Sequence, residues 1–329
     1  MNHIAPPPDR KCLIVQPIHA AGLDRLLAHG ITPVLCPDAD METVARHVPG
    51  CVAAITRDAG FDARAFDAAD RLRVLVVHGA GHDPVDKAAA ASAGVLIANT
   101  PGTNAQSVAE LAVGLALAVA RRIPAADRSQ RAGQLGFRER AAFTELSGGT
   151  ALVIGWGATG RRTGAILHHG FGMRVLSHSP RPPEESWASH APDLHGALAR
   201  VELVSLHAPL TPATQSLMDR AAFAAMKPGA ILVNLGRADL IDEAALQAAL
   251  AAGHLGGAGL DLSTAAGPRG PLADFDTVVF TPHLGGTTTA ALARTAEAAA
   301  GHVITALAGE MPATAINPSV WQGRSGCRP

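Results

Sequence analysis

Gly155, Gly157 and Gly160 stand in a G-x-G-x-x-G string, Gly155-Trp-Gly157-Ala-Thr-Gly160. The string follows the apolar run Ala151-Leu-Val-Ile154 and opens a helical stretch, so it reads as strand, turn and helix. In that setting the first glycine permits a tight turn, the second lets the backbone approach a pyrophosphate, and the third allows close helix packing. Unpaired N–H groups and the positive end of the helix dipole then face the anion. The end of the next strand decides which dinucleotide binds. An NAD site places Asp or Glu there to hold the ribose 2′-hydroxyl. This chain has Ser177-His-Ser179-Pro-Arg181 and no carboxylate before Glu184. A hydroxyl and a guanidinium, Ser179 and Arg181, suit a 2′-phosphate that a carboxylate would repel. NADP(H) is therefore expected to be favoured over NAD(H).

The elements needed to position such a turn recur along the chain. Apolar strand-like runs alternate with Ala-rich helical stretches, the pattern of parallel sheets covered by helices. A first series has strands at Cys12–Gln16, Val52–Thr56, Val74–Val77 and Gly94–Ala98. It closes at the Pro-Gly turn of Asn99–Gly102. A second series runs through Ala151–Ile154, Arg174–Ser177, Leu203–Leu206, Ala230–Val233, Gly257–Leu260 and Val278–Phe280, which fits a doubly wound sheet. Between them lies a helix, Ser107–Arg122, whose Leu111–Ala120 part is too apolar to face water on either side. It is expected to be buried near a two-fold dimer interface. A last helix spans Ala290–Ala308 and stops at Gly309. The chain is expected to cross between two domains at Asn99–Gly102 and Leu284–Thr289.

Bulk properties narrow the function. A length of 329 residues suits two domains, and 48% hydrophobic with 17% charged residues is globular rather than disordered. A net charge of -1 without a basic cluster argues against nucleic acid as partner. Leu111–Ala120 has about half the length a bilayer needs, and Met1–Lys11 lacks the apolar core of a secretory signal. No membrane association is expected, and a cytoplasmic location is. Cys12, Cys36, Cys51 and Cys327 form no C-x-x-C pair, in keeping with a reducing compartment. His168-His169, His190 and His195 show no ligand spacing, so no metal is implied.

Further blocks, in order, are His78-Gly-Ala-Gly-His-Asp-Pro-Val-Asp86, Asn104–Glu110, Val201–Thr211 with Ser-Leu-His-Ala-Pro-Leu-Thr, Met226–Arg237, and Thr281-Pro-His-Leu-Gly-Gly286. Together with the glycine string they resemble the signature blocks of the D-isomer-specific 2-hydroxyacid dehydrogenases over nearly the whole chain. The resemblance implies an α/β fold of two doubly wound parallel-sheet domains with a cleft between them. One is a flavodoxin-like substrate-binding domain, residues 1–100 and 290–329. The other is a Rossmann NAD(P)-binding domain, residues 101–289. It implies the family's short form, with no regulatory domain after Trp321, and a homodimer. Arg237 matches the arginine that holds the 2-oxo acid carboxylate; a fixed planar cation at a strand end is a natural bidentate anchor. His283 matches the general acid that protonates the carbonyl oxygen as hydride arrives, a role suited to imidazole. By the same resemblance Asp261 meets the nicotinamide carboxamide, Ala208, Leu235, Gly285 and His283 itself line the cofactor, and Ala158 and Thr159 belong to the pyrophosphate turn. Backbone N–H groups of Gly79, Ala80 and Gly81 would receive the substrate carboxylate, and Arg57 stands where some relatives bind substrate or phosphate.

One position departs from the pattern. The family places a glutamate five residues after the aspartate equivalent to Asp261, where it orients the histidine. This chain has Ala266 there and no glutamate between Glu243 and Glu297. The expected activity is hydride transfer between NAD(P)H and a small 2-oxo or D-2-hydroxy acid such as glyoxylate or hydroxypyruvate, at reduced efficiency. The alternative is a nucleotide-binding sensor or partner-binding protein of the same fold with little turnover.

Overall fold

The computed structural model describes residues 10–261 and 270–322. The chain divides into two compact units, Met1–Asn104 with Thr288–Pro329, and Ala105–Thr287. Each is an α/β unit built on one parallel sheet, the expected fold class.

The first unit has five strands, β1 (Lys11–Ile14), β2 (Thr32–Leu35), β3 (Cys51–Thr56), β4 (Val74–Val77) and β5 (Leu96–Asn99). Their spatial order is β2-β1-β3-β4-β5 and every pairing is parallel. β3 and β4 are buried at every residue, so they read as unbroken apolar runs rather than alternating ones. β2 was not expected, because Pro33 breaks the strand signal. It lies at the sheet edge, where the missing N–H of a proline costs least. Helix Thr289–Leu307 belongs to this unit and packs on helix Ala20–Ala28 and on β4. Asn317 then ties the C-terminal stretch to β5: its Oδ1 accepts the Ile97 N–H at 2.7 Å and its Nδ2 donates to the Val95 carbonyl at 2.9 Å.

The second unit has seven strands: β6 (Thr150–Ile154), β7 (Arg174–His178), β8 (Ala188–His190), β9 (Leu203–Leu206), β10 (Ile231–Asn234), β11 (Gly257–Leu260) and β12 (Val278–Phe280). The order is β8-β7-β6-β9-β10-β11-β12, all parallel. The winding direction reverses between β6 and β9, the point at which such sheets bind ligands. All six expected strands are present; the added one, β8, is a three-residue edge strand too short and polar to carry a pattern.

The apolar helix spans Ala105–Ala120 and lies against β10, β11 and helix Ala158–Phe171. Two glycines of β11 make room for it: a Cβ on Gly259 would fall 2.9 Å from the Leu115 Cβ. Nine of its 16 residues, among them Ala112, Leu115, Ala116 and Val119, are buried within the unit, Leu111 and Leu117 are half-buried, and Glu110 and Gly114 are exposed. Among the described residues no helix is long and apolar enough to cross a membrane.

Candidate functional site

The glycine string forms the turn from β6 into helix Ala158–Phe171. Gly155 has φ +92°, and a Cβ there would sit 2.6 Å from the Ala208 nitrogen; a Cβ on Gly160 would strike the Gly155 carbonyl oxygen. Gly157 is exposed with open space at its Cβ position. It is also the N-cap, and no side chain among the described residues caps it. Asp40, Asp62, Asp86, Asp193, Asp219 and Asp242 each cap their own helix with a carboxylate. The contrast matters, since an uncapped N-terminus leaves N–H donors for an outside anion. Ala158 and Thr159 form its first turn, so the five residues named for the pyrophosphate come together.

Beyond β7, the Ser179 hydroxyl donates to the Arg181 carbonyl at 2.6 Å and lies 3.2 Å from the Ser177 hydroxyl. The Arg181 side chain is exposed and forms no hydrogen bond or ion pair among the described residues. Across the switch point, His207 lies against Gly155 and its Nε2 is 2.8 Å from the Ser205 hydroxyl. Burial pulls the His207 imidazole down to about 4, so it is neutral at physiological pH. Ala208, the next residue, is buried.

Arg237 and His283 stand at two further strand ends. After β10, buried Asn234 shapes a corner: its Oδ1 accepts the Gly236 N–H at 2.9 Å and its Nδ2 donates to the Arg237 carbonyl at 2.8 Å. This fixes the backbone that carries Leu235 and Arg237. The Arg237 guanidinium is half-buried and donates to the Gly236 carbonyl at 2.9 Å. After β12, the Thr281–Gly286 turn holds His283 exposed at φ +56°. Asp261, 2% exposed, organises that turn. Its Oδ1 accepts the Thr281 hydroxyl and the Leu284 N–H, each at 2.6 Å, and its Oδ2 accepts the Gly285 N–H at 2.7 Å. Asp261, expected at the nicotinamide carboxamide, thus clamps the histidine turn. Ser107 adds a second hold, donating to the Gly285 carbonyl at 2.6 Å. Neither clamp was evident in the sequence, because the partners lie far from the turn along the chain. Ala266 falls outside the described residues.

Arg57, Gly79, Ala80 and Gly81 belong to the first unit. The Arg57 Nη1 donates to the Pro17 carbonyl at 3.2 Å, and Gln16 Oε1 accepts the N–H groups of Arg57 and Ala59. The Gly79 N–H is already spent on the Thr100 hydroxyl at 2.8 Å. Ala80 and Gly81 keep N–H groups with no acceptor among the described residues, and the Ala80 carbonyl is held by Asn99 Nδ2 at 2.7 Å. His78, at the foot of this loop, is a buried imidazole whose Nε2 has no hydrogen-bond partner among the described residues. Burial, and then the Arg57 charge, hold its pKa below the usual range. No cluster of three His, Cys, Asp or Glu side chains among the described residues is arranged to hold a metal ion.

Comparison with known proteins agrees with this arrangement. The family profile of the D-isomer specific 2-hydroxyacid dehydrogenase NAD binding domain matches residues 113–285. The chain is 39% identical over 288 residues to a D-3-phosphoglycerate dehydrogenase of Mycobacterium bovis, covering 85% of this chain and 53% of the relative. It is 36% identical over 275 residues to a glyoxylate reductase of Thermofilum pendens, covering 80% of each. Among solved structures it superimposes on an NADPH-dependent glyoxylate/hydroxypyruvate reductase of Sinorhizobium meliloti, held there with NADP and malonate. The TM-score is 0.81 at 26% identity, over 94% of this chain and 97% of that one. The chain belongs to the D-isomer specific 2-hydroxyacid dehydrogenase family. It spans about half the length of the phosphoglycerate dehydrogenases it matches.

Proposed function

We propose that this chain is an oxidoreductase that reduces a small 2-oxo acid to the D-2-hydroxy acid with NADPH preferred over NADH. The observation that carries the proposal is the pair of strand-end corners in the second unit. One presents Arg237 on an Asn234-braced backbone, and the other presents His283 on a turn clamped by Asp261. In this reading the uncapped helix start at Gly157 takes the pyrophosphate, and Ser179 with Arg181 takes the 2′-phosphate. When bound, the reduced nicotinamide supplies the hydride. Arg237 holds the substrate carboxylate and polarises the carbonyl, and the His283 imidazolium gives a proton to the carbonyl oxygen. The Ala80 and Gly81 N–H groups of the first unit and Arg57 are proposed as further carboxylate contacts. A homodimer and a cytoplasmic setting complete the proposal.

The sequence favours a second possibility at one point. With no glutamate between Glu243 and Glu297, the carboxylate that orients the family's histidine is missing. A protein that binds the dinucleotide but turns over little, as a sensor or partner-binding module, is the alternative. One pair of measurements separates the two: NADPH oxidation with glyoxylate and hydroxypyruvate, beside a titration of NADPH and NADH binding. Turnover with tighter NADPH binding is the expected result. Tight binding with no turnover on any small 2-oxo acid would sink the enzymatic proposal, and equal affinities would sink the cofactor preference.

A further inference from the structure

The stretch that leaves β7 at Ser179 and rejoins the sheet at Ala188 is strapped along helix Ala158–Phe171 at two points. Near the helix start, the Glu185 Oε2 accepts the Trp156 indole N–H at 2.9 Å, and its Oε1 pairs with the Arg161 guanidinium at 2.5 Å. Trp156 stands between the first two glycines of the turn, and Arg161 directly follows the third. Near the helix end, Trp187 stacks on His168 with ring centroids 5.3 Å apart and planes 15° apart, and it packs on Trp156 at 5.7 Å. Gly164 makes the space: a Cβ there would lie 2.7 Å from the Trp156 ring.

Glu185 is therefore tied to both the glycine turn and the helix behind it. Its side chain is 16% exposed. The indole hydrogen bond, with Arg161 adding to it, holds its carboxyl below the usual carboxylate range, so it is charged when it makes these contacts. Arg181, four residues earlier, has no such anchor for its guanidinium among the described residues. Its backbone is flanked by Pro180, Pro182 and Pro183, each with a fixed φ. A stiff segment takes its direction from its ends. Here the ends are the Ser179 contacts, including His190 Nε2 at 3.0 Å from the Ser179 carbonyl, and the Glu185 clasp.

We infer that Glu185 is a positioning residue of the dinucleotide site: by bridging Trp156 and Arg161 it holds the Ser179–Trp187 segment, and Arg181 with it, in register with the glycine turn. The inference rests on the dinucleotide reading of that turn. The clasp has a second consequence. The carboxylate is occupied on both oxygens and neutralised by Arg161, so it is not offered to the ribose 2′ position, where an NAD site uses an acid and where it would repel a phosphate.

The test is a set of binding titrations of NADPH and NADH on the full chain, with melting curves and tryptophan fluorescence on each variant. The variants are Glu185→Ala, Glu185→Gln, Arg181→Ala and the Glu185→Ala/Arg181→Ala double. Glu185→Ala is expected to raise the NADPH Kd about tenfold, the size of one charge-assisted contact. Glu185→Gln keeps an oxygen for the indole N–H and is expected to raise it less. In the Arg181→Ala background, Glu185→Ala should add less than about twofold, because the residue acts through the segment that carries Arg181. A full tenfold in both backgrounds would overturn the inference. So would NADPH and NADH affinities within about twofold of the parent in a folded Glu185→Ala protein whose tryptophan signal shows the indole released. A parent with equal affinities refutes the cofactor preference alone. The clasp then stands only if Glu185→Ala weakens both cofactors together, and falls if it weakens neither.

Discussion

Two turns at the C-terminal edge of the second sheet solve one backbone problem in opposite ways. The turn after β6 needs positive φ and places Gly155 there, at +92°. The turn after β12 also needs positive φ, at +56°, and places His283 there. A side chain in the left-handed region costs about 1–2 kcal/mol, which glycine escapes. The difference follows from what each turn presents. The first offers backbone N–H groups, so the side chain is dispensable. The second carries an exposed imidazole, proposed as the proton donor, and its conformation is held from outside, by three hydrogen bonds to Asp261 and one from Ser107.

The sharpest way to break the comparison is to delete the side chain that the second turn is proposed to present. His283→Ala should lower the reductive kcat/KM about 10²–10⁴-fold, the usual worth of a general acid, while leaving NADPH binding within about twofold. Equal losses in binding and turnover would mean that His283 serves the cofactor and not the proton. Next in size is Asp261→Ala. It strips the acceptor from two backbone N–H groups and a hydroxyl, and should cost about 2–4 kcal/mol of unfolding free energy as well as activity. A denaturant titration checks it. A loss below about 0.5 kcal/mol would show that the turn holds itself.

The same contrast explains what the sequence revealed. The glycine turn is written in three nearby residues, and six of the seven strands of its sheet carry short apolar runs, so both were legible. The clamp on His283 joins residues 20 and 24 positions apart, and in the case of Ser107 178 apart, and only folding brings them together. Glu185 is silent in the sequence for the same reason. A glutamate in a Pro-rich stretch signals nothing until Trp156 and Arg161 are seen on it. Edge strands escaped for a different reason: β2 carries Pro33, and β8 is Ala-Ser-His, neither of which has the pattern of a half-buried strand. The buried helix Ala105–Ala120 was readable as buried. What covers it depends on the missing side chains of Gly257 and Gly259, which a hydrophobicity count does not register.

The glycine turn has its own weak points, smaller than those of the histidine turn. Gly160→Ala would drive a Cβ into the Gly155 carbonyl oxygen and should cost about 2–3 kcal/mol with weaker dinucleotide binding. The His283 turn should be untouched, so kcat at saturating cofactor is expected to stay near the parent value. Beneath Gly155, His207 adds a pH dependence. Its pKa is lowered from 6.5 in the free side chain to about 4 in the fold. A histidine held down in the native state binds its proton more readily when unfolded. Its contribution to stability is therefore complete above about pH 6.5 and is lost as the pH falls towards 4, by about 1–2 kcal/mol at pH 5. His207→Gln should flatten that part of the slope in apo-protein melts. The remainder is shared by His78 and His302, which burial also holds down, and, at the acid end, by Asp40, Glu185 and Glu202, whose carboxyls hydrogen bonding holds below their usual range. An unchanged slope would mean that His207 is not desolvated.

The smallest effect bears most directly on the comparison. If the His283 backbone is strained only because a non-glycine residue occupies it, then His283→Gly and His283→Ala should differ in stability although both lack the imidazole. Alanine keeps a Cβ, and with it the clash with the following carbonyl that disfavours positive φ. Glycine removes the clash but adds flexibility to the unfolded chain, which takes back part of the gain. The balance should leave His283→Gly about 0.5–1 kcal/mol more stable than His283→Ala, with both equally inactive. His283 is exposed, so neither substitution opens a cavity to obscure the difference. Paired denaturant titrations at one pH would measure it. If alanine is as stable as glycine, the left-handed geometry is no strain at this position. The Asp261 clamp would then serve to aim the imidazole and not to offset the cost of its backbone.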